Sequence, residues 1–369
     1  MGVVLLSNGF QPDYEAGFAN GLAKNGVAVT LIASDRTLYE HLQAGVSTIN
    51  LRGSQDRNRA AWKKALNLGI YIFRLMSFLV LKRPVLHLTG LFLTGYEKSW
   101  VFECRTYRLL SRRLVMTVHN VLPHDRDTPE MREVFRQVYG IPHCLVVHTA
   151  KARQRLISEF NVEPGRIVVM EHGLDDLVHV SAEAIQATRE QLHVGNFDRL
   201  VIFFGAVMRY KGVDLLIEAA RHFSNGTRVH IAGRCADSRY QKELEALLHD
   251  HPLGQAITWQ NSYLSEEYVS HLLGAADVLV MPYRHIDQSG VLFAAMRHGT
   301  PIVAFDVGSF HDYLPDGVGL VVPAGDLPAL AAAIAEIPSS RQLRPEIHKV
   351  AEGFLWQKTV RPVLECYEG

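Results

Sequence analysis

The sequence predicts an α/β protein made of two doubly wound domains, each with a parallel sheet covered by helices on both faces. Short, continuously apolar runs alternate with helical stretches along the chain, which is typical of parallel sheets buried on both sides. The runs form two successive series, with the boundary near residues 173–198. With 369 residues, 48% of them hydrophobic, the chain is long enough for two such cores.

Each series contains predicted strands separated by helical stretches such as EAGFANGLAKNG and RYQKELEALLHDH. The strands of the first series are 3–7, 27–33, 85–89, 114–119, 145–149 and 167–171. Those of the second are 200–205, 229–233, 257–260, 278–281, 302–305 and 320–323. Because ligands of open parallel sheets bind beyond the carboxyl ends of the strands, we expect functional residues in the loops that follow these runs.

The cysteines and the amino terminus predict a cytoplasmic protein. No CxxC pair is present, so the sequence indicates no metal knuckle, and widely spaced cysteines fit a reducing compartment; they are Cys104, Cys144, Cys235 and Cys366. The first residues, MGVVLLSNGF, lack a basic region and are typical of an immediate core strand, not of a signal peptide.

The formal net charge is zero, but residues 50–113 contain thirteen Lys and Arg against three acids. Within them, segment 59–83 mixes apolar and basic residues, and Arg74 interrupts it too early for a good transmembrane span. Two interpretations remain open: a buried helix with a solvated basic edge, or a helix lying on an anionic membrane surface. No base-reading module is recognisable, so no nucleic-acid partner is expected.

Two loops have the chemistry of a phosphate site. In the segment FFGAVMRYKGVDLL, Arg209 and Lys211 lie between two glycines, and a predicted helix follows the second glycine. The cations and the free amides of the helix start can bind a pyrophosphate. PYRHIDQSGV delivers Ser289 and Gly290 to another helix start. Taken alone, the first loop could be a surface loop with incidental charges, and the second an ordinary helix cap. Together they favour a nucleotide-diphosphate site.

Several motifs resemble the GT-B glycosyltransferases, above all glycosyltransferase family 4. They are TVHNVLPHD, MEHGLDD, FFGAVMRYKGVDLLIEA, the donor signature from AADVLVMPYR to SGVLFAAMRHGTPIVAF, and the final GFLWQKTVRPVLECYEG. The resemblance implies two Rossmann-like domains with a cleft between them and a C-terminal helix that crosses back. Residues 1–175 and 352–369 would form the acceptor-binding domain, and residues 176–351 the nucleotide-sugar domain.

The chain departs from this family at its donor loop. The position of the second family glutamate, which binds ribose hydroxyls, is Ala294, and that of the first is Ile286, with Asp287 next to it. The arginine position after Gly205 is Ala206. A QSG variant also occurs in exopolysaccharide enzymes, including inverting β-mannosyltransferases, so retaining and inverting stereochemistry both stay open.

By this resemblance and the loop chemistry, the candidate catalytic residues are His119, Asp125 and Asp287, with His124 in the same polar cluster and Asp13 and Glu15 as rival bases. The candidate nucleotide-binding residues are Gly9, Arg209, Lys211, Gly233, Gln288, Ser289, Gly290 and Val291. No metal and no cofactor is expected, because the nucleotide sugar is itself the substrate.

The implied reaction is hexose transfer from a nucleotide-diphosphate sugar, GDP-mannose first and a UDP-sugar next. The expected acceptor is a polyprenyl-diphosphate-linked glycan of cell-surface or exopolysaccharide synthesis, used at the inner face of the membrane. Two other classes remain: a phosphorylase or epimerase on the same scaffold, and a catalytically impaired binding subunit, which the missing glutamates leave possible.

Overall fold

The computed structural model divides the chain into two compact units. The first unit contains residues 1–175 together with 354–369, and the second unit contains residues 176–353. The structure describes residues 1–7, 11–56, 58–91, 97–122, 127–195, 198–286, 289–308, 310–315 and 317–368, without the side chains of residues 97 and 98.

The first unit is a seven-stranded, all-parallel sheet in the order β3-β2-β1-β4-β5-β6-β7. Its strands are β1 (Gly2–Leu6), β2 (Ala28–Ala33), β3 (Val46–Asn50), β4 (Val85–Leu88), β5 (Arg113–Val118), β6 (Cys144–Val147) and β7 (Ile167–Val169). Its connecting helices are α1 (Pro12–Lys24), α2 (Ala61–Lys82), α3 (Glu97–Leu110), α4 (Pro129–Gly140) and α5 (Ala150–Phe160).

The second unit is a six-stranded, all-parallel sheet in the order β10-β9-β8-β11-β12-β13. Its strands are β8 (Arg199–Phe204), β9 (Thr227–Ala232), β10 (Ile257–Gln260), β11 (Val278–Met281), β12 (Ile302–Phe305) and β13 (Gly319–Val322). Its helices are α6 (Ala182–Gln191), α7 (Val213–Ala219), α8 (Ser238–His249), α9 (Glu266–Ala275), α10 (Gly290–His298), α11 (Phe310–Tyr313), α12 (Leu327–Glu336) and α13 (Ser340–Ala351).

The chain ends on the first unit, as the family resemblance implied. α14 (Trp356–Thr359) and α15 (Arg361–Leu364) follow a backbone pairing in which the Leu174 N–H donates to the Phe354 carbonyl. The Trp356 ring packs directly against two glycines and fills the space that larger side chains would occupy there. A Cβ atom on Gly17 would lie 2.0 Å from Nε1 of Trp356, and a Cβ atom on Gly173 would lie 2.2 Å from the ring. These glycines therefore let the tryptophan dock against the core.

The spacing of the cysteines did not indicate that two of them pair. The structure joins Cys144, at the start of β6, to Cys366, in the last turn, as a disulfide with a Cα–Cα distance of 5.9 Å. The pairing could not be predicted from the sequence, because the two cysteines are 222 residues apart and only the return of the C-terminal segment to the first unit brings them together. Wide spacing along the chain therefore does not by itself indicate a reducing compartment.

α2 has a buried face and an exposed apolar face. Tyr71, Leu75 and Leu79 pack into the core of the first unit. The opposite side carries exposed apolar residues, of which Phe73 is 73% and Leu81 81% accessible. The helix has 22 residues and is long and apolar enough to cross a membrane by length and composition. One of the two interpretations of segment 59–83 is a buried helix with a solvated basic edge. That interpretation does not account for the exposed apolar residues on the outer face.

Candidate functional site

Two glycine loops lie together at the carboxyl edge of the second unit's sheet. Gly205 follows β8, and Gly233 follows the neighbouring strand β9. A Cβ atom on Gly233 would lie 1.9 Å from the Gly205 carbonyl oxygen, and Gly205 itself has a φ of 115°. Glycine at both positions therefore lets the two loops approach and leaves their backbone open to a ligand.

Lys211 is a buried cation beside these loops. It ends a 3₁₀ turn, and Gly212 follows with a φ of 66°, where a Cβ atom would lie 2.0 Å from the Pro282 carbonyl oxygen. The amine lies 5.6 Å from the ring centroid of Tyr283. Within the described part of the chain it has no carboxylate partner, and burial lowers its pKa to about 8. Such a charge is costly until an anion neutralises it.

The start of α10 offers a hydroxyl and free amides. Ser289 is its N-cap residue; the side chain is 7% exposed and makes no capping hydrogen bond. As first-turn groups, the amides of Gly290 and Val291 have no acceptor within the helix. A Cβ atom on Gly290 would meet no atom within 4 Å. The helix start is therefore open, with its positive dipole end available to an anion.

These three elements meet at Gly205. A Cβ atom built there would lie 3.2 Å from Lys211 Nζ and 3.3 Å from Val291 Cγ2. The glycine loops, the buried amine and the start of α10 thus line one patch in the second unit. An amine, backbone amides and a helix amino end are together the groups that bind a diphosphate.

Arg209 lies in the same turn, but its charge is already compensated. Its guanidinium donates to Glu243 at 2.8 Å and stacks over the Tyr240 ring at 4.6 Å from the centroid. Arg284, which the sequence analysis did not single out, donates to both carboxylate oxygens of Asp214 and to the Arg209 carbonyl. This clamp fixes the turn and makes Lys211 the stronger phosphate candidate; the role of Arg209 stays a prediction.

Four candidate residues lie outside the described residues, together with His124 of the same polar cluster: Gly9, Asp125, Asp287 and Gln288. Their predicted roles stay predictions.

In the first unit, His119 follows β5 in a group of aromatic and imidazole rings. Its Nε2 lies 3.1 Å from the Thr89 carbonyl oxygen and its Nδ1 lies 3.3 Å from Nε2 of His148, whose Nδ1 contacts the Met170 carbonyl oxygen at 3.0 Å. The Tyr14 ring packs edge-on at 4.6 Å between centroids. Burial lowers the pKa of His119 to about 4, so the ring is neutral at pH 7.

A neutral pair cannot make all three of these contacts as hydrogen bonds. The two carbonyls only accept, so His119 Nε2 and His148 Nδ1 would each have to carry a proton. The contact between the rings would then need a third proton, whereas two neutral imidazoles carry two in all. At least one of the three contacts is therefore not a hydrogen bond while both rings are neutral.

Of the two acids that the sequence offered as rival bases, Glu15 is buried and Asp13 is exposed. Burial is the largest cause that raises the pKa of Glu15, to about 7, and a hydrogen bond with Ser7 acts in the opposite direction. Ser7 follows β1, so this carboxyl lies at the carboxyl edge of the first sheet. A carboxyl with a pKa near neutrality can accept a proton at physiological pH.

Comparison with known proteins agrees with this architecture. The model of the family Glycosyltransferase Family 4 matches residues 16–176, and that of Glycosyl transferases group 1 matches residues 198–339. The chain belongs to the GT-B glycosyltransferases. The GT-B fold predicted from the sequence is confirmed, whereas the finer likeness to exopolysaccharide enzymes with a QSG loop stays a prediction.

This GT-B glycosyltransferase is similar to two kinds of curated bacterial relative. D-inositol 3-phosphate glycosyltransferase of Geodermatophilus obscurus is 28% identical over 255 residues, which cover 66% of this chain and 56% of the relative. Alpha-maltose-1-phosphate synthase of Mycolicibacterium smegmatis is 28% identical over 224 residues, which cover 56% of this chain and 57% of the relative. The matches thus span little more than half the length of these relatives.

Among solved structures, Anabaena HepE in complex with UDP-glucose superposes with a TM-score of 0.73 over 99% of both chains. The identity is 18%, so this likeness shows the shared fold.

Proposed function

We propose that this protein transfers a hexose from a nucleotide-diphosphate sugar to an acceptor hydroxyl. The observation that supports this most is Lys211, a buried amine without a carboxylate partner in the described part of the chain, next to the glycine loops and the start of α10. A folded protein keeps a buried charge of this kind at a cost in stability, and a bound diphosphate would offset that cost.

The chemistry follows from the charges. The bond between the anomeric carbon and the diphosphate oxygen breaks, the acceptor oxygen forms the new bond, and the acceptor proton passes to a base or to the departing diphosphate. Lys211 and the amides at Gly290 and Val291 stabilise the negative charge on the leaving group without a metal. If the reaction inverts, Glu15 is the described carboxyl that we propose as the base, since its pKa lies near 7.

The nature of the donor is part of the proposal. The resemblance to enzymes with a QSG loop favours GDP-mannose, and the fold similarity to a protein that binds UDP-glucose supports a UDP-sugar as the other candidate. Release of free nucleotide, measured over a panel of GDP- and UDP-sugars with and without a lipid-linked glycan, tests both. Turnover with one donor supports the proposal. Phosphorolysis would indicate the phosphorylase alternative, and binding without turnover would indicate an impaired subunit.

We further propose that the acceptor is lipid-linked, a polyprenyl-diphosphate glycan of cell-surface polysaccharide, and that the protein works at the inner face of the cell membrane. The exposed apolar face of α2 supports this, because Phe73 and Leu81 stand on a helix that also carries Lys63, Lys64 and Lys82. An apolar face with basic neighbours is the pattern that binds anionic lipid surfaces.

Sedimentation with vesicles containing phosphatidylglycerol tests the membrane proposal. The wild type should bind at low salt and be released in large part by high salt, because salt screens surface charge. Phe73→Ser should weaken binding, since that side chain is 73% exposed and can enter the lipid. The control is Tyr263→Ser, which removes an 81% exposed ring from the second unit. Equal binding of the two variants would contradict the assignment of α2.

A further inference from the structure

A second cationic site lies in the first unit, at the opposite edge of the sheet from His119. It is a cavity of about 350 Å³ lined by Arg108, Arg113, His143 and Arg166 and by the chain at residues 140–142. Arg113 is the first residue of β5, and His143 and Arg166 stand directly before β6 and β7. The amino ends of the strands therefore form this cavity.

The three guanidinium groups have no carboxylate partner within the described ranges, and the residues that line the cavity include no acid. Arg113 Nε donates to the Cys366 carbonyl at 2.5 Å. Arg166 uses one terminal nitrogen for the carbonyls of Tyr139, Gly140 and Pro142, at the end of α4. Backbone carbonyls thus orient two of the arginines, but they leave the positive charges unneutralised.

The ring of His143 lies close to these uncompensated positive charges. Its Nδ1 accepts the Leu114 N–H at 2.8 Å, so in the neutral ring the proton is on Nε2, which is then a donor. Burial is the first cause that lowers its pKa, and the charges of Arg108, Arg113 and Arg166 lower it further. Three cations and one neutral donor converge here, and such a set binds an anion with several acceptor oxygens.

We propose that this arginine pocket, defined by Arg108, Arg113, His143 and Arg166, binds a phosphate-bearing group. Phosphate fits because it offers several acceptor oxygens with negative charge, matching planar guanidinium donors. The group comes either from a phospholipid at the membrane or from a phosphorylated soluble ligand. A phospholipid is a direct source, because the pocket lies close to the basic end of α2 at Lys82 and Arg83. Strand β4 begins just after these residues and pairs with β5 from Arg113, a pocket residue, onwards.

The soluble arm of the test uses pyrophosphate and calorimetry on the full chain. Each protein carries Lys211→Met, so that binding at the nucleotide patch of the second unit does not contribute. Arg108→Gln removes an exposed guanidinium that forms no ion pair with a described residue, so folding should be unaffected. Arg105→Gln is the control, because it removes the same charge from an exposed position of α3 outside the lining. We expect about tenfold weaker pyrophosphate binding in Arg108→Gln, the size of one lost charge-assisted bond, and little change in the control.

Two further measurements identify the source of the phosphate. In NMR titrations pyrophosphate should raise the pKa of His143, identified by its loss in His143→Gln, because the anion offsets the neighbouring cations. In the lipid arm, binding is measured to vesicles with phosphatidic acid and to vesicles with phosphatidylglycerol that have the same surface charge. Tighter binding to phosphatidic acid, the phosphate monoester, then indicates binding in the pocket and not general attraction to a charged surface. Arg108→Gln should lose that preference and Arg105→Gln should keep it.

An effect of Arg108→Gln on pyrophosphate alone supports a soluble ligand, and an effect on lipid preference supports a headgroup. If Arg108→Gln and Arg105→Gln behave alike in both arms, the proposal is overturned. The donor assay of the second unit is independent of this result, so either proposal can fail without the other.

Discussion

Replacing Lys211 by methionine is expected to stabilise the ligand-free protein and to weaken its binding of nucleotide diphosphates. The amine is 9% exposed and has no carboxylate partner within the described part of the chain. Burial lowers its pKa from 10.5 to about 8. That difference corresponds to roughly 3 kcal/mol for keeping the amine charged at neutral pH, as an upper value. Methionine keeps a similar length and removes this cost.

Thermal unfolding and calorimetry measure the two effects. The Tm of the variant should rise by several degrees, at roughly 2–4 °C per kcal/mol for a domain of this size. Its affinity for UDP or GDP should fall by about 10- to 100-fold, as expected when a charge-assisted hydrogen bond worth roughly 1.5–3 kcal/mol is lost. Lys242→Met, at an exposed position of α8, is the control and should change neither quantity.

The pH dependence adds a signed test. The folded-state pKa of Lys211 lies below its unfolded value, so the unfolded chain binds more protons between about pH 8 and pH 10.5. The wild type should therefore gain stability from this group as pH rises through that window, and the variant should lack the gain. Unchanged Tm together with unchanged nucleotide affinity would refute the assignment of Lys211 to the diphosphate.

Four further substitutions test the nucleotide patch of the second unit and Glu15 of the first. Ser289→Val should weaken nucleotide binding, whereas Ala294→Glu, which restores the carboxylate of the family at a half-exposed position of α10, should tighten it; calorimetry with UDP and GDP decides both. Because the folded-state pKa of Glu15 is raised to about 7, the folded protein binds more protons than the unfolded chain between about pH 4.5 and pH 7, and we expect the free energy of unfolding to fall as pH rises through this window. Glu15→Gln should remove most of this fall. An equally steep fall in the variant would exclude Glu15 as its source. Gly233→Ala should lower the Tm, because its methyl group would lie 1.9 Å from the Gly205 carbonyl oxygen; an unchanged Tm would mean that the two loops can separate freely.

The sequence predicted the buried strands better than the exposed ones. Runs such as 278–281 are apolar at every position, so their pattern alone marks a strand covered on both faces. β3 was missed because VSTIN mixes polar and apolar residues, and it lies at the sheet edge with most of its side chains exposed. At such an edge, pairing with β2 decides the conformation, and pairing is not written in local composition.

For the candidate site, residue types were predictable but partners were not. Glycines, cations and a helix start in order along the chain indicated a phosphate site. That Arg209 is held by Glu243, and that Lys211 is the amine without a carboxylate partner in the described part of the chain, depends on how α8 packs beside the turn. The disulfide between Cys144 and Cys366 likewise depends on where the C-terminal segment docks. Contacts between distant parts of the chain carry no local signal.

The docking of the C-terminal segment also sets an order of events during synthesis. Residues 176–353 leave the ribosome before residues 354–369, yet the latter belong to the first unit. The glycine-lined place for Trp356, bordered by Gly17 and Gly173, therefore stays uncovered while the whole second unit is made. Closing a loop of this length costs little more entropy than closing a shorter one, but it delays the step. The second unit can thus fold before the first unit has received its last helices. Until then, the incomplete first unit would expose apolar surface that chaperones recognise.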